Sequence, residues 1–276
     1  MHSVLIIAAK EFRDGLRNRW VLAITLVFGF LAVGLSYFGA AASGTLGFTS
    51  LATTVVSLAS LAIFLIPLIA LLLSYDSIVG EEESGTLLLL LTYPVTPAQL
   101  LIGKFTGHAA ILAASTLLGF GGAGVLIASL SGQLASLELW QAFAFFILSA
   151  TLLGWCFVAM AQLISVLVGE KSRAAGLALI TWFWFVLVFD LLLLGILVMG
   201  EGRTGGQWLS WLLLLNPTDV FRIANLAGFE AVRDYTGLAA IATGALFRPY
   251  TLAAVLVAWT AVPLGLAVWR FGRRAV

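Results

Sequence analysis

Cysteine, histidine and charge are all scarce in this chain. One cysteine, Cys156, stands among 276 residues, beside two histidines and three methionines, and 10% of the residues are charged. A single cysteine excludes an internal disulfide framework and any cysteine-rich zinc site. His2 sits at the terminus and His108 stands alone, with no His-x-x-x-His and no carboxylate–histidine group, so no metal site is expected. Copper moving through the chain would need soft ligands in series. Cys156 and Met160 share one helix face and Met199 lies elsewhere, a pattern of core packing and not a ladder. The net charge of +1 argues against nucleic acid as a partner. Nucleotide hydrolysis is missing too. Gly103-Lys104 resembles the end of a Walker A loop, but Ala98 takes the place of its first glycine and Phe105 that of its Ser/Thr. The chain is therefore read as a non-catalytic subunit that binds no cofactor; any ATP and magnesium belong to a partner.

What abounds is apolar surface. Hydrophobic residues make up 62% of the chain and mean hydropathy is +1.10, whereas a soluble domain carries about a quarter charged residues. This is an all-α membrane protein, a single transmembrane domain over residues 1–276. Apolar runs of about 20 residues span a bilayer as helices, and six are present, near 20–40, 51–74, 105–130, 140–168, 174–199 and 250–269. The apolar run 4–9 has no basic residue before it, so it reads as no cleavable signal. Basic residues favour the cytoplasmic side. With the N-terminus inside, Lys10, Arg13, Arg17, Arg19, Lys104, Lys171, Arg173, Arg270, Arg273 and Arg274 are cytoplasmic. Arg203, Arg222, Arg233 and Arg248 are then outside, so both termini are expected in the cytoplasm.

Residues 3–19 form an amphipathic segment. Leu5, Ala9, Phe12, Leu16 and Trp20 recur at helical spacing, away from Lys10, Arg13, Asp14 and Arg17. Such a helix lies in the headgroup plane before turning into the bilayer. The connection 75–104 is the oddest stretch of the chain, reading DSIVGEEESGTLLLLLTYPVTPAQLLIGK from Asp76. A short helix is expected over 81–91, with Glu81, Glu82 and Glu83 in its first turn, where the helix dipole favours them. Its leucines cannot all face water, so part of them meets membrane or a partner protein. Thr96-Pro97-Ala98-Gln99 is a capping-box start for the third span.

The outer connection 200–249 is moderately apolar. Asn216-Pro217-Thr218-Asp219 is a second helix start, and short interfacial or re-entrant helices are expected around it. Glu230, Arg233 and Asp234 belong to a platform that either docks a periplasmic partner or caps the bundle. Asp190 is the only acid well inside a span, where burial costs about 2.5–3.5 kcal/mol on insertion scales. It is assigned to a transport pathway, to helix pairing, or to a place nearer the outer interface.

Taken together, these residues resemble the membrane subunit, or permease, of type-2 ABC transporters. The resemblance covers the whole chain and rests on the KEFRDGLRNRW elbow, the six spans and the loop residues Asp76, Ile78, Glu81, Glu83, Gly85, Thr86, Leu87, Pro94, Gly103 and Lys104. The chain departs from the family's frequent pattern at Leu89, where many members carry another acid. The resemblance implies an elbow helix with Lys10, Glu11, Phe12 and Arg17. It also implies a cytoplasmic coupling helix, with Asp76, Glu81, Glu82, Glu83, Gly85, Thr86 and Leu87 facing an ATPase. Within the family, the NPTDVFRI element makes it similar to permeases that serve nitrous oxide reductase maturation in denitrifying bacteria. That similarity implies a homodimer in the bacterial inner membrane with two cytoplasmic ATPase subunits. It further implies a periplasmic β-helical accessory protein, here assigned to Asn216, Pro217, Asp219, Arg222 and Arg233. The exported cargo would be a sulfur species for a copper–sulfide cluster, with copper itself or a stand-alone carrier or anchor as the alternatives.

Overall fold

A bilayer core offers no water to backbone N–H and C=O groups, so apolar runs that enter it close their hydrogen bonds within helices. The computed structural model describes residues 2–17, 19–38, 51–199, 207–226 and 245–274, and among these there is no strand. The order is α1 His2–Arg17, α2 Trp20–Phe38, α3 Leu51–Ser74, α4 Val79–Glu83, α5 Thr86–Thr92, α6 Pro97–Leu130 and α7 Leu137–Leu167. Then come α8 Lys171–Phe183, a π-helical turn Trp184–Val188, α9 Phe189–Met199, α10 Gln207–Leu214, α11 Pro217–Leu226, a 3₁₀ turn Ala245–Phe247 and α12 Pro249–Arg274. Among the described residues six helical segments are long and apolar enough to cross a membrane, the run α8–π-turn–α9 counting as one.

The third span starts where its local signals place it. Thr96 caps α6 by accepting from the Gln99 amide, and the Gln99 side chain returns to the Thr96 amide. α7 is the central helix, packed against α3, α6, α11 and α12. Aromatic rings bind the layers together. Phe28 of α2 stacks on Phe120 of α6 at 4.7 Å, and Phe120 meets Phe146 of α7 edge-on at 4.9 Å. Such pairs add about 0.5–1.5 kcal/mol each beyond their buried area.

α1 and α2 both lie along α6, and small residues set how close they come. A Cβ on Gly107 would stand 2.5 Å from Glu11 Cβ, and one on Gly119 would stand 2.7 Å from Phe28 Cβ. The face of α1 turned to α6 is Ile7, Ala8, Glu11 and Gly15. Along the apolar stripe of α1, Leu5 and Leu16 are exposed and Phe12 is partly covered by the core. Glycines on α6 select the small-residue side of α1, which leaves these leucines exposed.

The loop helix expected over 81–91 is broken in two. Gly85 takes a left-handed φ of 72° between α4 and α5, a conformation that glycine adopts without steric cost. Ser84 and Thr86 fasten the break by donating to the Glu81 carbonyl at 3.2 and 3.3 Å.

Candidate functional site, an inward acidic hub and an outward leucine helix

The acidic cluster is a hub of contacts within the chain. Each glutamate reaches a different element. Glu81 Oε1 accepts from Lys104 Nζ of α6 at 2.6 Å, and the same ammonium donates to Glu11 Oε1 of α1 at 3.0 Å. Glu82 Oε2 lies 3.4 Å from Arg274 Nη1 at the end of α12. Glu83 Oε1 accepts from the Lys171 backbone amide at 2.6 Å, at the start of α8, where the helix dipole favours an anion. Asp76 Oδ2 holds the Lys171 ammonium at 2.7 Å. Four helical segments, α1, α6, α8 and α12, thus converge on the eight residues from Asp76 to Glu83.

The hub is anchored from beneath. Ser165 of α7, fully buried, accepts from both the Ile78 and Val79 amides at 3.0 Å, satisfying two donors at the start of α4. His108 does the same for the top of α3: its Nδ1 pairs with Ser74 Oγ at 3.1 Å, and its Nε2 is 3.9 Å from Glu11 Oε2. His108 is a structural residue. Burial pushes the Glu11 carboxyl up, but Lys104, His108 and Lys10 outweigh it and the group sits below the ordinary glutamate value. Lys104 is itself buried, at 3% exposure.

With the acids occupied, α5 is what remains to face outward. Leu87 and Leu90 pack on a small core of Ile78, Leu100, Leu101, Val166, Ala267 and Phe271. Leu88 and Leu89 project away, 74% and 64% exposed, and Tyr93 follows at 65%. Beside them a cleft of about 380 Å³ opens between α5 and the end of α12, lined by Glu82, Gly85, Leu87, Leu88, Leu91, Phe271 and Arg274. Of the residues assigned to ATPase contact, then, Gly85 and Leu87 line the cleft, Thr86 secures the turn, and Asp76, Glu81 and Glu83 bind this chain's own groups. Of the elbow residues, Glu11 enters the hub and Phe12 packs on the core, while Lys10 pairs with Glu11 and Asp14 at the surface. Arg17 closes α1 as the basic residue of its last turn.

A second polar cluster lies at the other end of the bundle. The π-turn frees the Phe185 carbonyl, which accepts from Asn216 Nδ2 at 2.9 Å and from Thr218 Oγ1 at 3.2 Å. Asn216 also caps α11 by accepting from the Thr218 amide, and its Nδ2 donates to Asp219 Oδ2. α11 is enclosed by α3, α7 and α12. Asp190 is not isolated: its Oδ2 accepts from Arg222 Nη2 of α11 at 2.6 Å, an inter-helix pair. Of the residues assigned to periplasmic contact, Asn216, Pro217 and Asp219 are buried within this chain, where Asn216 bonds Phe185 and Asp219 pairs with Arg222. Arg222 is partly exposed. Arg233, with Glu230 and Asp234, lies outside the described residues.

Sequence reasoning missed Ser165, Arg274 and the Phe185 carbonyl. Arg274 sat in a basic tail that topology alone explained, and a serine within an apolar helix carries no signal of its own. For Lys104 a signal existed, since one lysine two turns inside an apolar helix start needs a partner anion.

The described residues thus form a bundle of six membrane-length helical segments, with α1 packed on α6 and the helix pair α4–α5 between the second and third of them. The chain belongs to the ABC-2 family transporter proteins, whose family model matches residues 5–276. It is 55% identical over 274 residues, 99% of both chains, to the probable ABC transporter permease protein NosY of Stutzerimonas stutzeri. It is also 52% identical over 276 residues, all of both chains, to the protein of the same description from Pseudomonas aeruginosa. The chain is thus a non-catalytic permease subunit that works in the membrane with separate ATPase subunits.

Proposed function

We propose that α5 is the surface on which the ATPase docks, and that the hub above it passes the ATPase's motion to the spans. The observation that carries this is the pairing of occupied acids with unoccupied leucines. Leu88 and Leu89 project from α5, which joins at Gly85 to α4, and the acids of α4 are held on four sides, so force applied to α5 reaches α1, α6, α8 and α12 together through Glu11, Glu81, Glu82 and Glu83. Packed interfaces respond to such a push as rigid bodies. The acidic loop and both termini are cytoplasmic in this reading, and two copies of the chain with two ATPases make the working complex, in the bacterial inner membrane.

The cargo follows from the relatives' description and the donor atoms present. We assign export of a sulfur species to the periplasm, for the copper–sulfide cluster of nitrous oxide reductase, received by a periplasmic β-helical accessory protein. What favours this over copper is the placement of soft donors: Cys156 is buried against the Leu256 carbonyl at 3.2 Å, within the chain's own core. Replacing Leu88 and Leu89 together by Glu tests the docking surface. The variant inserts normally yet loses the co-purifying ATPase; full ATPase stoichiometry in that variant would refute the docking role. Mass spectrometry of small molecules retained by the intact complex tests the cargo separately.

A further inference from the structure

Around Arg222 the charges do not balance. Two carboxyl groups, Asp190 of α9 and Asp219 of α11, share one guanidinium. Arg222 Nη2 bonds Asp190 Oδ2 at 2.6 Å, and Nη1 stands 3.1 Å from Asp219 Oδ1, an ion-pair distance without hydrogen-bond alignment. One oxygen of each carboxyl group, Oδ1 in both, is buried without a hydrogen-bond donor. Two carboxyl groups on one guanidinium, each with a buried oxygen that lacks a donor, carry one surplus negative charge and call for a proton.

We propose that Asp190 and Asp219 together bind one proton, which latches α11 to the span formed by α8, the π-turn and α9. The proton leaves Arg222 to neutralise the single remaining charge. When α11 and that span part, Arg222 keeps Asp219, its neighbour three residues away on the same helix. With the second carboxyl group gone from its side, Asp219 is held as an anion by Arg222, and the shared proton passes to solvent. Parting the two helices releases one proton and closing them takes one up. Burial raises the Asp219 carboxyl first and most, Arg222 opposes it, Asp190 adds to it, and the group is pushed up to about 7. No other charge contends for the site among the described residues. α3, α10 and the π-turn carry no ionisable side chain. α7 brings only exposed Glu138 and the distant thiol of Cys156, and α12 only exposed Tyr250 at its start and arginines at its far end. The latch does not depend on which cargo the transporter carries.

Infrared spectroscopy of the intact chain in lipid nanodiscs, titrated from about pH 5 to about pH 9, reads the proton directly. The wild type shows the carbonyl stretch of a protonated carboxylic acid that disappears as pH rises, and Asp219→Asn lacks that band. Asp190→Asn removes the neighbouring negative charge, so its band disappears at lower pH than in the wild type. Thermal unfolding gives a second readout. A carboxyl raised in the folded state stabilises at low pH and loses that contribution as pH climbs, here between 3.8 and about 7. The wild-type midpoint therefore falls over that window relative to Asp219→Asn. Superposable profiles for wild type and Asp219→Asn, or a wild type with no titrating carboxyl band, overturn the proposal.

Discussion

Lys104 Nζ stands 2.6 Å from Glu81 Oε1, so the acid of the loop is held by the third span of the same chain. The lysine is buried and its second partner, Glu11, is nearly so. Removing one member of such a group leaves uncompensated charge in the interior, which costs about 3–5 kcal/mol. Lys104→Met is expected to lower thermal stability by that order. Adding Glu11→Gln and Glu81→Gln to the same chain recovers most of the loss. If the triple variant is as unstable as the single one, charge imbalance is not what Lys104 relieves. Transport stays impaired in both, because the link from loop to spans is gone.

Ser165 has a different task. Its one oxygen accepts two buried amides at the start of α4, and Ser165→Ala leaves both without an acceptor. Each orphaned donor costs about 1–3 kcal/mol. Hydrogen exchange should show faster exchange across 78–92 while α6 and α7 keep their protection. Ser165→Thr, which retains the hydroxyl, should exchange like wild type where the added methyl fits.

Gly107 tests the elbow. A Cβ there would stand 2.5 Å from Glu11 Cβ and 3.0 Å from the Ala8 carbonyl, so α1 must move off α6 to admit Gly107→Val. Glu11 then leaves Lys104. A cysteine pair at Gly15 and Ile111 offers the check, since the atoms a Cβ on Gly15 would meet all belong to the Ile111 side chain that the second cysteine replaces. It crosslinks in the otherwise native chain, and the crosslinking drops severalfold when Gly107→Val is added.

The pH response of the elbow follows from Glu11. Its carboxyl is lowered from 4.5 in the folded chain, so its contribution is complete above that value and is lost as pH falls through the depressed folded one. Amide protection of α1 should hold from neutral pH to about 4.5 and decline below it. Glu11→Gln removes the pH dependence and starts from weaker protection. An elbow whose protection changes equally in both proteins would point to another group.

Local signals in the sequence were honest guides here, and distant ones were invisible. Thr96 and Gln99 announced the start of α6 because a capping box is complete within four residues. The Asn216-Pro217 start of α11 was legible for the same reason, and six spans followed from apolar run length alone. The partners of Glu81, Glu82 and Glu83 lie 23, 192 and 88 positions away, at Lys104, Arg274 and Lys171, and no periodicity links them. The acids therefore read as a surface for another protein. Gly85 marked a turn, yet the leucines after it suggested one continuous helix, since nothing local shows that a left-handed residue separates α4 from α5. Burial of Asn216 and Asp219 was hidden likewise, because polar residues after a tryptophan-rich run look like a solvent edge until the π-turn supplies an inward acceptor.

That π-turn, Trp184–Val188, has a consequence for how the span around it tolerates change. A π-turn carries one residue more than the α-helix would over the same path, and one residue corresponds to a rotation of about 100°. The two halves of the span are therefore out of phase with each other. Lys171 is aimed at Asp76 by the phase of α8, and Asp190 at Arg222 by the phase of α9. No single helical wheel satisfies both. Substitutions within the apolar turn leave this offset intact, whereas deleting any one of its residues swings one end of the span off its partner while leaving its length and hydropathy nearly unchanged.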